Sequence, residues 1–193
     1  MEAINHGADA VYIGAPRFGA RAAAGNSLED IAALVRYAHL YNARIYVTVN
    51  TILKDDELQD TEAMIWDLYR AGGDALIVQD MGITRLKLPP IPLHASTQMD
   101  NRTSQKVKFL AEAGFRQVVL ARERTLEEIA AIHRDCPDTP LEVFVHGALC
   151  VSYSGQCYAS QACYGRSANR GECAQFCRLG FDLVDADGKV IVR

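Results

Sequence analysis

Six short runs of β-branched and apolar residues alternate with segments of helical periodicity, which restricts the chain to very few architectures. The runs are Ala10–Gly14, Arg44–Asn50, Ala75–Asp80, Pro92–Thr97, Gln117–Arg122 and Leu141–Gly147. Most are apolar at successive positions, as strands covered on both faces are. Between them, Ser27 precedes a segment in which Leu28, Ile31, Ala32, Val35 and Ala38 share a face. Thr125 and Glu128 form a capping box before Leu126, Ile129 and Ala130. Asp55 or Asp56 is expected to cap the helix carrying Met64, Ile65 and Leu68. Gly72 and Gly114 fall where helices should stop.

Repeated βα units predict an α/β fold with a parallel sheet, doubly wound or closed into a barrel. No glycine-rich dinucleotide fingerprint follows the first strand, which favours a TIM-like (β/α) barrel. Only six of the eight strands of such a barrel are legible, so the barrel is expected to be incomplete or open. The expected organisation is a partial barrel over 1–149, a cysteine-rich loop over 150–180, and over 181–193 the start of a β-hairpin turning at Asp187-Gly188 or of a further domain. Open barrel edges would invite self-association into a homo-oligomer.

Composition narrows the function classes. A net charge of −4 excludes a global basic field but not a local basic patch. No stretch approaches the roughly 18–20 apolar residues that span a bilayer. "MEAINHGADAVYIG" has neither the basic nor the apolar region of a signal peptide. A cytoplasmic, reducing location is expected, where clustered cysteines are more often metal or redox sites than disulfides.

In a barrel, chemistry gathers at the C-terminal strand ends. Here those positions are Gly14, Asn50, Gln79, Asp80, Ser96, Thr97, Arg122 and His146. Alone, each reads equally well as a loop cap; as a set they could line one pocket. His94 lies inside a strand and is either a satisfied core histidine or a ligand. Glu142, Phe144 and His146 alternate, so an extended strand would point all three to one side. Glu142 and His146 are then either an acid/base pair or a structural ion pair.

Five of the six cysteines lie between His146 and Arg178. Their order is Cys150-x6-Cys157, then Cys163, Cys173 and, three residues further, Cys177. Cys136 stands apart and reads as a small helix-terminal residue. Only Cys173 and Cys177 have the close spacing of a structural zinc pair. An iron–sulfur cluster accepts irregular spacings, and Gly155, Gly165 and Gly171 permit the turns needed to wrap one. Arg166, Arg170 and Arg178 would offset thiolate charge and form a local basic patch. A binding module whose metal merely folds the loop is a further reading.

"EVFVHGALCVSYSGQCYAS", residues 142–160, resembles the signature of the collagenase-like peptidase family U32. Glu142, Phe144, Gly147, Ala148, Cys150, Gly155, Cys157 and Ser160 carry the match. "GRSANRGECAQFCR" and "GADAVYIGAPRFGARA" resemble other segments of that family, so the likeness spans almost the whole chain. It implies several activities: proteolysis, hydroxylation of a tRNA or rRNA base, or oxygen-independent quinone hydroxylation. It implies a 4Fe–4S cluster on Cys150, Cys157 and Cys173, with Cys177 or a residue beyond Arg193 as the fourth ligand. Cys163 falls outside that pattern. It also implies prephenate as a source of the hydroxyl group in the tRNA-modifying members. Cluster-dependent RNA hydroxylation accounts best for the thiols and arginines; the sequence has no metal-binding His-Glu-x-x-His and no Gly-x-Ser-x-Gly elbow. The expected catalytic residues are Glu142, His146 and His94. The expected cluster ligands are Cys150, Cys157, Cys173 and Cys177. Asn50, Arg122, Arg166, Arg170 and Arg178 are expected to hold an RNA or peptide substrate.

Overall fold

A computed structural model describes residues 1–20, 25–147 and 149–192, with the side chain of Val192 outside the description. Six strands form one parallel sheet in sequential order: β1 (Ala10–Gly14), β2 (Arg44–Val49), β3 (Ala75–Val78), β4 (Leu93–Ala95), β5 (Gln117–Val119) and β6 (Leu141–Glu142). Every adjacent pair is parallel. Sequential order with one-way crossovers is the topology of a barrel wall. The sheet curls: Tyr12 on edge strand β1 hydrogen-bonds Glu142 on the opposite edge strand β6. The molecule is therefore an open half-barrel.

The helices are α1 (Glu2–Asn5), α2 (Leu28–Leu40), α3 (Leu58–Arg70), α4 (Ser104–Glu112) and α5 (Leu126–Asp135). Their starts follow the sequence chemistry. Ser27 and Asp30 complete a capping box on α2, and Thr125 and Glu128 complete one on α5. Thr103 caps α4 by accepting from the Lys106 N–H. Neither Asp55 nor Asp56 caps α3. That helix is entered through a 3-10 turn over Asp55–Glu57, where the Glu57 carboxylate accepts from the Lys54 N–H at 2.8 Å. After α3 and α4 the chain turns through Gly72 (φ +89°) and Gly114 (φ +99°), backbone angles that disfavour any side chain.

Alternation along the strands divides the sheet into two faces. Val11, Ile13, Ile45, Val47, Val49, Leu76, Val78, Ala95, Val118 and Leu120 belong to the core that includes Ile31, Val35, Ile65, Leu68, Val107 and Leu110 of the helices. The inner face is more polar than the expectation that most strands are apolar on both faces. It carries Tyr12, Tyr46, Thr48, Ile77, His94, Gln117 and Glu142, a mixed layer facing the hollow of the curl. Within it Tyr12 and Gln117 hydrogen-bond Glu142, whereas the Nδ1 of buried His94 has no partner.

Beyond β6 the chain forms the cysteine-rich segment with the short helix α6 (Ala159–Tyr164), then the hairpin of β7 (Leu183–Val184) and β8 (Val190–Val192). The hairpin turns within Asp185–Gly188, where the Gly188 N–H donates to the Asp185 carbonyl at 3.1 Å. No helix among the described residues is long and apolar enough to cross a membrane.

Candidate functional site

A cavity of about 620 Å³ opens at the C-terminal ends of the strands. It is lined by Tyr12 and Gly14 of β1, Thr48 and Asn50 at the end of β2, Thr97 and Gln98 after β4, Arg122 after β5, and Phe144 and His146 after β6. Four strand-end positions expected from sequence, Gly14, Asn50, Thr97 and Arg122, thus meet in one pocket with His146. Among the described lining residues Arg122 is the one permanent charge, and no carboxylate faces the cavity. Amide and hydroxyl groups with two aromatic rings complete the wall. That wall suits a planar, hydrogen-bonding or anionic ligand.

The rim is held by a small polar lattice. Asn50 Oδ1 accepts from the Ala20 N–H at 2.9 Å, and its Nδ2 donates to Ser96 Oγ at 3.2 Å. The Ser96 hydroxyl also accepts from the Gln98 N–H. Asn101, fully buried, donates to the carbonyls of Ser96 (2.9 Å) and Val119 (2.8 Å). It ties β4 to β5 directly beneath the cavity. Asp80 does not reach the pocket: its carboxylate accepts from the Gly82 N–H at 2.7 Å and the Leu53 N–H at 2.9 Å, which makes it a loop cap.

Below the cavity sits the inner polar layer. Glu142 accepts from Tyr12 and from Gln117 Nε2. Burial and the Glu142 carboxylate push the Tyr12 phenol well above its ordinary range, so it stays protonated and donating. Glu142 and His146 do not pair: β6 ends at Glu142, alternation is lost, and Val145 lines the cavity alongside Phe144 and His146. Buried His94 packs edge-on against Tyr46 at 4.8 Å and is not among the lining residues. Its Nδ1 has no hydrogen-bond partner. Burial, with the Arg44 charge nearby, lowers its pKa to about 4, so the ring is neutral. Of the three residues expected to be catalytic, His146 alone reaches the pocket; Glu142 touches it through Tyr12.

The cysteine segment is docked on the barrel at two points. Ser154 is fully buried. Its N–H donates to Glu123 Oε1 at 2.8 Å, and its hydroxyl meets Arg122 Nη2 at 3.3 Å and Thr97 Oγ1 at 3.4 Å. Beside it, Gly155 (φ +72°) lies so close to the β4–α4 turn that a Cβ would fall 1.8 Å from the Gln98 carbonyl oxygen. The second dock is Arg170. It donates to both oxygens of Glu57 (2.6 and 2.9 Å) and to the Ile52 carbonyl (2.8 Å). The Ile52 N–H donates back to the Asn169 carbonyl. Arg170 is therefore committed to Glu57 and fastens the lobe, whereas Arg166 and Arg178 are exposed and their guanidiniums have no partner among the described residues.

All six cysteines are free thiols. Cys136 is buried at the end of α5 with Sγ 3.5 Å from the Ser104 carbonyl, and burial raises its pKa. Cys150 and Cys157 are partly covered, and Cys163, Cys173 and Cys177 are exposed. Among the described residues no three His, Cys, Asp or Glu side chains gather as metal ligands. Cys150, Cys157, Cys173 and Cys177 are uncrosslinked thiols on this one segment.

The sequence profile of peptidase family U32 matches residues 1–190. The chain belongs to that family. This U32 chain is 63% identical over 190 residues to the 23S rRNA 5-hydroxycytidine C2501 synthase of Escherichia coli, covering 98% of the chain and 29% of that protein. It is 39% identical to the tRNA hydroxylation protein P1 of Bacillus subtilis (96% and 45%) and 33% identical to a collagenase of Porphyromonas gingivalis (97% and 48%). The U32 chain spans under half the length of these relatives. In fold it is similar to the U32 peptidase Mk0906, with a TM-score of 0.59 at 13% identity over 74% of the chain and 62% of that structure.

Sequence reasoning missed several residues of this U32 site. Tyr12 and Thr48 sit inside strands and read as sheet formers. Asn101 and Ser154 lie in segments with no periodic signal, and Gln98 projects from a 3-10 turn over Thr97–Met99. Gly155 was legible as a turn residue, but its contact with Gln98 joins segments far apart in sequence.

Proposed function

We propose that this chain is the barrel portion of an RNA-modifying enzyme that hydroxylates a base, with a cytidine of ribosomal RNA as the substrate. One observation carries the reading: the chain is 63% identical to the C2501 hydroxycytidine synthase over 190 residues, 98% of its length, a span that includes the cavity-lining segments and the cysteine lobe. The cavity chemistry supports it. Asn50, Thr97 and Gln98 offer amide and hydroxyl groups to the edges of a base, while Phe144 and Tyr12 offer rings to its face. Arg122 supplies a cation for a phosphate, or for a carboxylate of a hydroxyl donor such as prephenate. His146, exposed on the rim, places an imidazole on the cavity wall. The substrate, as an RNA of the cytoplasm, sets the expected location.

The iron–sulfur assignment belongs to the same proposal and rests on the donor set alone: uncrosslinked thiols on one lobe beside the cavity. A cluster would supply redox chemistry once bound. The division into a barrel, a cysteine lobe and a hairpin near residues 149 and 180 is part of the same reading, as is self-association through the free edges of β1 and β6. Peptidase activity is the second reading, favoured by the likeness to the Porphyromonas collagenase.

The test is complementation. The full-length protein is expressed in a strain lacking its hydroxycytidine synthase, and 23S rRNA nucleosides are analysed by mass spectrometry. Restored 5-hydroxycytidine, lost in Arg122→Ala, is the expected result. An unmodified rRNA together with cleavage of gelatin by the same protein would replace this reading with the peptidase one. Anaerobic purification with iron and sulfide assays tests the cluster separately, with both expected to fall in Cys150→Ala.

A further inference from the structure

Three aromatic rings lie together on the cysteine lobe, away from any core. Tyr164 and Phe176 have centroids 5.1 Å apart, and Phe176 and Phe181 are 6.3 Å apart, edge to face. Tyr164 is 57% exposed and Phe181 63% exposed. Large rings left this open, in mutual contact, are costly to a free surface unless a partner covers them. None of the three lines the cavity.

The charge around these rings says what the partner is. From Cys150 to Phe181 the chain holds three arginines and one carboxylate, Glu172. Arg170 is spent on Glu57, but Arg166, two residues from Tyr164, and Arg178, two from Phe176, stand exposed and unpaired among the described residues. The chain as a whole carries a net charge of −4, so this lobe runs against the molecule's sign. Exposed rings flanked by free guanidiniums match unpaired nucleic acid: bases stack on the rings and phosphates meet the arginines. An apolar protein partner would use the rings but give the arginines nothing.

We infer that Tyr164, Phe176 and Phe181, with Arg166 and Arg178, form a stacking platform for unpaired RNA nucleotides outside the cavity. The inference rests on the RNA reading above and deepens it: the platform holds nucleotides flanking the target, and the cavity takes the target base. Recognition of this kind tolerates any base, because every base has a face to stack.

The experiment uses the full-length protein and fluorescence anisotropy with a short fluorescein-labelled single-stranded oligoribonucleotide. Tyr164→Leu and Phe181→Leu keep apolar bulk but remove the ring, and each is expected to weaken binding roughly tenfold. Tyr164→Phe keeps the ring and should bind as wild type. Arg166→Gln should make the salt dependence shallower by about 0.7 in log–log slope, one single-strand phosphate contact. Unchanged affinity in both leucine variants overturns the platform. If those variants instead lower the thermal midpoint, another part of the chain or a second copy covers the rings, and the platform is again overturned. A wild-type protein with no affinity for the oligoribonucleotide and no modified rRNA would sink the RNA reading itself. Restored rRNA modification with leucine variants that bind normally would sink only the platform.

Discussion

His94 shows how one side chain can carry a pH signature without touching substrate. Its ring is buried against Tyr46 with Nδ1 unpartnered, and its pKa falls from 6.5 to about 4. Between those values the unfolded chain takes up a proton that the folded chain refuses. Stability linked to His94 is therefore fully present above pH 6.5 and drains as the pH falls toward 4. His94→Met should flatten the difference in urea midpoint between pH 7 and pH 4, and unfolding curves at the two pH values check it. At Gly155 the constraint is steric. Alanine there meets the Gln98 carbonyl at 1.8 Å and must adopt a positive φ. Gly155→Ala should cost about 2 kcal/mol locally, lifting the lobe rather than unfolding the barrel. The readout is hydrogen exchange at the Ser154 amide, which would lose its protection by Glu123.

At the scale of elements, the boundaries that side chains write locally were legible and those written by tertiary contact were not. The boxes at Ser27 and Thr125 and the stops at Gly72 and Gly114 involve neighbours within four residues, so sequence shows them. Strand ends were read too long. Asn50, Asp80, Thr97 and Arg122 continue an extended-looking pattern, yet each leaves the sheet to bond a different loop. The cysteine spacing suited a cluster, but spacing cannot say whether thiols converge. Nor could it say that Arg170, expected to bind substrate, would be held by Glu57 more than a hundred residues away. That pair tethers the lobe to the turn before α3. Arg170 holds the Glu57 carboxyl at about 2, well below its ordinary 4.5, so the stability it contributes is complete above pH 4.5 and is lost as pH falls toward 2. Arg170→Gln should cost about 2 kcal/mol and remove that acid-range loss. Limited proteolysis between 150 and 180 should accelerate, while cleavage within the barrel stays slow.

For the whole molecule, the decisive feature is that the two free edges of a six-stranded sheet meet through side chains rather than through a backbone ladder. β1 and β6 share no hydrogen-bonded pairs, yet Tyr12 donates to Glu142 across the hollow of the curl, and Gln117 on the neighbouring β5 donates to the other oxygen of the same carboxylate. The curl sets the spacing between Gly14 and Thr48 on one side of the cavity and Phe144 and His146 on the other. Twist alone curves a parallel sheet; a fixed donor on one edge and a fixed acceptor on the other select how far it closes. Tyr12→Phe removes the donor and keeps the ring. Glu142 then retains Gln117, so the loss should be modest, about 1–2 kcal/mol for a bond to a charged group, read from urea unfolding. The two edges should also move apart. A spin-label pair placed at exposed Asp9 and Pro140, which immediately precede β1 and β6, should report a longer and broader distance distribution in the variant than in the wild type. Glu142→Gln gives the converse control: an amide oxygen still accepts from Tyr12, so the distance should hold while the acceptor's charge is gone. If Tyr12→Phe leaves both the unfolding midpoint and the distance unchanged, the curvature is set by the backbone and the helices. The Tyr12–Glu142 contact would then be a consequence of closure and not a cause of it.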